Sequence, residues 1–167
     1  MGRSDLTGAS RVSILGVPVD ALTVAQAVAI IGARAADPGS PAFYVTKPYV
    51  EFLDRAASDG EVRALLRGAG LSLPDGVALQ WAAAYLDGPP RLGRLAGLLA
   101  AILVRPSAVA RVLPERFAGA TFTRALLDHC GRSGIGVHLV GSPKVQSIED
   151  TARLLREREP AIRVTGT

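Results

Sequence analysis

The sequence predicts an α/β domain: a mainly parallel, Rossmann-like sheet with helices on both faces. Three observations lead there. Short runs rich in Val, Ile and Leu alternate with longer stretches of helical periodicity along the 167 residues. Each run stops near Gly, Pro or Ser, and a helix signal follows, as expected of strands joined by crossover helices. Apolar residues make up 49% of the chain, enough for one core of domain size.

Residues 1–10 are polar and read as a disordered tail, leaving residues 11–167 as a single domain. Arg11 to Val19 is strand-like, broken around Gly16 and Pro18. Thr23 can cap a helix to about Ala36, with Val24, Ala27, Val28 and Ile31 on one face. Asp37-Pro38-Gly39-Ser40-Pro41 ends it. Ala42 to Thr46 is a buried-type strand, and Pro48 suits the first turn of the next helix. That helix carries Val50, Phe52 and Leu53 and yields near Ser58-Asp59-Gly60. A second, Glu61 to Arg67, is expected to turn Val62, Leu65 and Leu66 inward.

Gly68-Ala69-Gly70 leads into a short apolar strand, Leu71-Ser72-Leu73, and Val77 to Leu86 reads as a helix that packs Leu79 and Trp81. Leu95 to Val104 is an unbroken apolar run inside an apolar and basic insertion at about residues 91–113. It suits a core helix, a dimer contact that would make a homo-oligomer, or an interfacial element on anionic lipid. A helix from Thr121 to Arg132, a strand from Ile135 to Val140, a charged helix from Lys144 to Arg158 and a strand beginning at Ile162 complete the order. A domain seldom finishes on a newly begun strand, so a further C-terminal part is expected.

Composition excludes several classes. Cys130 is the single cysteine, which rules out an internal disulfide framework and fits a reducing, cytoplasmic setting. No Cys/His cluster has metal-ligand spacing, so neither a structural zinc nor another metal is expected, and His129 and His138 read as structural. The net charge of +4 is concentrated: residues 87–116 hold five arginines against Asp87 and Glu115. That is not the stripe of a nucleic-acid binder. Gly68-Ala69-Gly70 and Gly134-Ile135-Gly136 lack the later Gly of a dinucleotide fingerprint, because Leu73 and Leu139 stand there. No cofactor is implied.

The chemistry-bearing stretch is Leu73-Pro74-Asp75-Gly76-Val77. Pro74 ends a strand, Gly76 permits backbone angles closed to other residues, and Asp75 is presented between them. Ligands of open α/β sheets bind at such strand ends. The same Asp also suits the N-cap of the helix that follows, and the two roles are compatible. Thr46, Arg116, Gly141 and Ser142 occupy other strand-end loops and could converge with Asp75 on one crevice. There Asp75 would serve acid/base work, while Arg116 and the helix N-termini after Gly76 and Gly141 would hold an anion. Taken singly, Arg116 reads rather as a surface Arg paired with Glu115 or Asp87, and Ser142 as a helix cap.

Together, Tyr44-Val45-Thr46, Leu73-Pro74-Asp75-Gly76-Val77, Glu115-Arg116-Phe117-Ala118-Gly119 and Val137-His138-Leu139-Val140-Gly141-Ser142 resemble the WecG/TagA/CpsF glycosyltransferases in order and approximate spacing. Arg158-Glu159-Pro160 and Val164-Thr165-Gly166-Thr167 resemble a later stretch of the same family. The resemblance implies an inverting, metal-independent transferase of bacterial cell-surface polysaccharide or teichoic acid synthesis. It would move N-acetylmannosamine or its uronic acid from a UDP-sugar to a sugar on a polyprenyl-diphosphate lipid. It would work as a peripheral protein at the inner face of the cell membrane. Asp75 falls on the family's catalytic Asp, proposed as the base, Thr46 on its active-site Thr, and Arg116 on an Arg that handles phosphate charge. Gly76, Gly119, Gly141 and Ser142 complete the substrate-binding set. Three departures stand out: Pro48 where the family commonly has Asn, Thr121 where an acidic residue is common, and the longer segment from about Arg91 to Leu113. They leave room for a second class, a non-catalytic nucleotide-sugar-binding or scaffolding relative. A Rossmann-type oxidoreductase is disfavoured by the missing glycine fingerprint.

Overall fold

A computed structural model describes residues 8, 10–89, 93, 96–98, 100, 109–141 and 147–166. Most of the Leu95–Val104 run, Ser142 and the expected helix start at Lys144 lie outside the described residues. The fold is mixed α/β, as expected, and forms two compact units: residues 1–26 with 41–119, and residues 27–40 with 120–167.

The first unit opens on a hairpin of β1 (Arg11–Ile14) and β2 (Val17–Asp20), paired antiparallel with Arg11 opposite Asp20. Its two-residue turn puts both Leu15 (φ 50°) and Gly16 (φ 78°) in the left-handed region, which suits the twist of a tight hairpin. Helix α1 (Val24–Ala36) starts at Thr23 as a capping box. The Gln26 N–H donates to Thr23 Oγ1 at 3.2 Å, and the Thr23 N–H donates to Gln26 Oε1 at 2.8 Å. Strands β3 (Val45–Thr46) and β4 (Leu71–Ser72) pair in parallel, with Val45 opposite Leu71 and Thr46 opposite Ser72. Between them lie α2 (Val50–Ser58) and α3 (Gly60–Gly68), and α4 (Val77–Leu86) follows β4.

Ile14, Val17, Val19, Leu53, Leu66, Leu79 and Leu113 make the core of this unit. One buried carboxylate ties its strands. Asp20 pairs with Arg11, and its Oδ2 accepts the Ser72 N–H at 2.7 Å, so β2 is fastened to β4 through a side chain. On α4, the buried Gln80 donates to the Leu113 carbonyl at 2.9 Å, satisfying a polar group that would otherwise be costly inside.

The second unit contains the remainder of α1, α5 (Gly119–Ser133, from residue 120), β5 (Val137–His138), α6 (Ile148–Arg158) and β6 (Val164–Gly166). Strands β5 and β6 pair in parallel with a local irregularity at Val137 and His138. Among its described residues Ala27, Val28, Phe122, Cys130, Ala152 and Ile162 are the buried hydrophobic ones. His129 packs its ring on Gly32, where a Cβ would come within 2.0 Å of Nε2, and the His138 ring covers Gly166.

Several expectations need correction. Among the described residues the strands form three two-stranded sheets, two of them parallel, and no continuous Rossmann-like sheet. The strand read over Ile135–Val140 pairs only at Val137 and His138, with Gly134 (φ 65°) breaking the backbone just before it. Leu65 is 59% exposed and does not turn inward with Val62 and Leu66: Val62 and Leu66 are four residues apart and share a helix face, whereas Leu65 lies about 100° around from Leu66. Pro48 precedes the first turn of α2, whose N-cap is Tyr49. Leu79 is buried as expected, and Trp81 is half-buried, stacked on Tyr85 with ring centroids 5.8 Å apart.

Candidate active site

The site grows from the ends of β3 and β4. Beyond the ladder the two chains stay side by side: the Leu73 N–H donates to the Thr46 carbonyl at 2.9 Å, and the Asp75 N–H to the Pro48 carbonyl at 3.0 Å. Leu73 and Pro74 are fully buried, so the backbone leading to Asp75 is anchored by packing as well as by hydrogen bonds. Gly76 then turns the chain with φ 87° and ψ 157°, a conformation that strains any residue with a Cβ.

Gly76 itself is the N-cap of α4, and no side chain caps that helix. The Asp75 carboxylate is therefore not the helix cap. It faces the Lys47 ammonium, with Nζ 3.1 Å from Oδ2, and its side chain is 36% exposed. A carboxylate fixed by its backbone and open to solvent is placed to accept a proton from a bound hydroxyl.

The segment Glu115-Arg116-Phe117 reaches the same place. Phe117 is buried and its N–H donates to the Pro74 carbonyl at 2.8 Å, which sets Arg116 on a loop beside the Pro74-Asp75 turn. The two acidic residues considered as its surface partners are engaged elsewhere: Glu115 accepts the Val24 N–H at 2.6 Å, and Asp87 pairs with Arg111 at 3.5 Å. Arg116 is exposed. Gly119 begins α5, and a Cβ there would stand 3.6 Å from Lys47 Nζ.

Thr46, Asp75, Gly76, Arg116 and Gly119 thus belong to one neighbourhood of the first unit. Thr46 ends β3, with its Oγ1 3.5 Å from the Leu71 carbonyl. Gly141 lies in the second unit, where a Cβ would press on Ile148 Cδ1 at 2.8 Å, and Ser142 falls outside the described residues. Lys47 is the residue that sequence reasoning missed. Its signal was slight: one of two lysines in the chain, placed directly after a candidate site Thr. Lys47 brings a cation to the carboxylate, Arg116 stands on the adjacent loop, and α4 begins directly after Gly76. Such a set can hold a phosphate while a neighbouring base works.

Residues 12–104, more than half of the chain, match the family described as Glycosyl transferase WecG/TagA/CpsF family, and the chain belongs to that family. Membership makes it a glycosyltransferase of cell-surface polysaccharide synthesis, a class with a nucleotide-sugar donor and a lipid-linked acceptor. The matched span contains Thr46, Lys47, Asp75 and Gly76 and ends before Arg116. No curated protein matches the chain. Among the described residues no helix is long and apolar enough to cross a membrane.

Proposed function

We propose that the protein transfers N-acetylmannosamine or its uronic acid from a UDP-sugar to a sugar carried on polyprenyl diphosphate, with inversion, as a peripheral protein at the inner face of the cell membrane. The acceptor hydroxyl oxygen attacks C1 of the donor sugar from the face opposite UDP. Asp75 takes the hydroxyl proton as the new C1–O bond forms. The bond from C1 to the UDP oxygen breaks, and UDP leaves with the electron pair. Arg116 and the amides at the start of α4 receive the charge that grows on the departing phosphate. Thr46, Gly76 and Gly119 line the substrate in this reading.

The observation that carries it is the Asp75 carboxylate: held by its backbone to Pro48, relieved of any capping duty, and 3.1 Å from a cation. The second reading, a non-catalytic nucleotide-sugar binder, draws on Pro48, whose position offers no polar side chain. UDP release from UDP-N-acetylmannosamine separates the two. Release that requires a polyprenyl-diphosphate-linked sugar supports transfer. Binding of the UDP-sugar with no transfer to any such acceptor overturns it and leaves the binding role.

A further inference from the structure

Against the site, α2 and α3 enclose a groove of about 270 Å³. Its floor is apolar, built from Phe52, Val62, Leu65 and Leu66. Lys47 and Arg55 are its charged lining residues, both cationic, and Thr46 of the site lines it as well. Phe52 is 43% exposed, and Tyr49 and Val50 next to it are also exposed, so apolar surface faces water here. Such a concentration on a soluble face marks a binding region.

Resting on the transfer reading above, we propose that this groove holds the first isoprenyl units of the lipid-linked acceptor, with Lys47 and Arg55 facing its diphosphate. Charge complementarity is the first argument. The groove joins an apolar floor to two cations, and a prenyl diphosphate joins an apolar chain to an anion. A nucleotide base would need more hydrogen-bonding groups than Thr46 supplies.

Continuity is the second argument. Lys47 lines the groove and also touches Asp75, so a diphosphate there would present the attached sugar to the carboxylate. Size is the third. The volume sits at the small end of ligand pockets, about 300 Å³ upward, and suits a short stretch of hydrocarbon rather than a whole lipid. Arg55 is free to turn to such an anion, because its pair with Asp59, at 3.6 Å and 69% exposed on the Arg side, is a weak surface contact.

Farnesyl diphosphate is the probe, titrated calorimetrically against the whole protein beside inorganic diphosphate and farnesol. The unmodified protein is expected to bind farnesyl diphosphate at least ~10-fold more tightly than inorganic diphosphate, as burial of a few methylenes would give. Leu65→Glu removes that preference and Leu65→Met keeps it, which separates loss of the groove from loss of the fold. Arg55→Gln weakens farnesyl diphosphate and leaves farnesol unchanged. Equal affinity for the two diphosphates, or undiminished binding in a folded Leu65→Glu, overturns the proposal. So does a Leu65→Glu variant that loses only vesicle binding or self-association. Farnesyl diphosphate held in the groove by a protein that transfers no sugar would sink the transfer reading and leave the groove standing. Transfer to the lipid acceptor that Leu65→Glu does not impair would do the reverse.

Discussion

The two units differ in how they hold their strand-end loops. In the first, Leu71, Ser72, Leu73 and Pro74 are all buried on the way to Asp75, and three backbone hydrogen bonds tie that segment to Thr46, Pro48 and Phe117. In the second, β5 runs straight into solvent: Val140 is 90% exposed and Gly141 is exposed as well. The first unit has a set of branched aliphatic side chains around Leu53, Leu66 and Leu79, whereas the second packs Phe122, Cys130 and Ile162 with small residues. A reacting group must be held within a fraction of an ångström. The rigid segment carries the carboxylate, and most of the family match falls on that unit.

Substitutions can break or sharpen this contrast. The largest effect is expected at Asp20, whose carboxylate joins Arg11 to the Ser72 N–H inside the first unit. Asp20→Ala removes the ion pair of the part-buried Arg11 and the acceptor of a buried N–H, and urea unfolding should show a loss of about 3–5 kcal/mol. A loss below about 1 kcal/mol would mean that the hairpin and β4 are not coupled through this group. In the second unit, Gly32→Ala gains helix propensity but drives a methyl into the His129 ring. A net loss of about 1–3 kcal/mol is expected by thermal unfolding; a gain would show that the ring moves aside freely.

A smaller change runs the other way. Leu15 occupies a left-handed position in the β1–β2 turn with its side chain in solvent. Leu15→Asn should stabilise the protein by about 1 kcal/mol, because Asn tolerates that conformation and leads into Gly16. The mildest test concerns Cys130, where burial pushes the thiol above its ordinary pKa. The thiolate is scarce at pH 8, so alkylation of the folded protein should be slower than that of a free thiol and speed up as pH rises. Alkylation at the free-thiol rate would show that the core of the second unit is open.

Much of the first unit was legible because its punctuation is local. Pro74 and Gly76 bracket Asp75, Thr23 starts α1, and α4 runs over the residues its pattern marks. Lys47 was not legible. Its approach to Asp75, 28 residues further along the chain, depends on the parallel register of Val45 with Leu71. Arg116 could not be freed from its local alternatives by sequence either, since Glu115 and Asp87 are drawn away by tertiary partners. Strand length was the weakest part. β-branched runs announce extended chain, but the ladder stops where Gly134 and the irregular pairing at His138 interrupt it. Leu65 was misread because a nine-residue helix buries only a narrow face, and the residue one step off that face lies on the groove.

The central claim is that Asp75 takes the acceptor proton, and Asp75→Asn tests it most directly. The amide keeps the shape of the carboxylate and cannot accept that proton. With a UDP-N-acetylhexosamine and a lipid-diphosphate acceptor, kcat should fall at least ~10²-fold while the unfolding midpoint stays unchanged. Undiminished turnover in a folded Asp75→Asn protein would contradict the account.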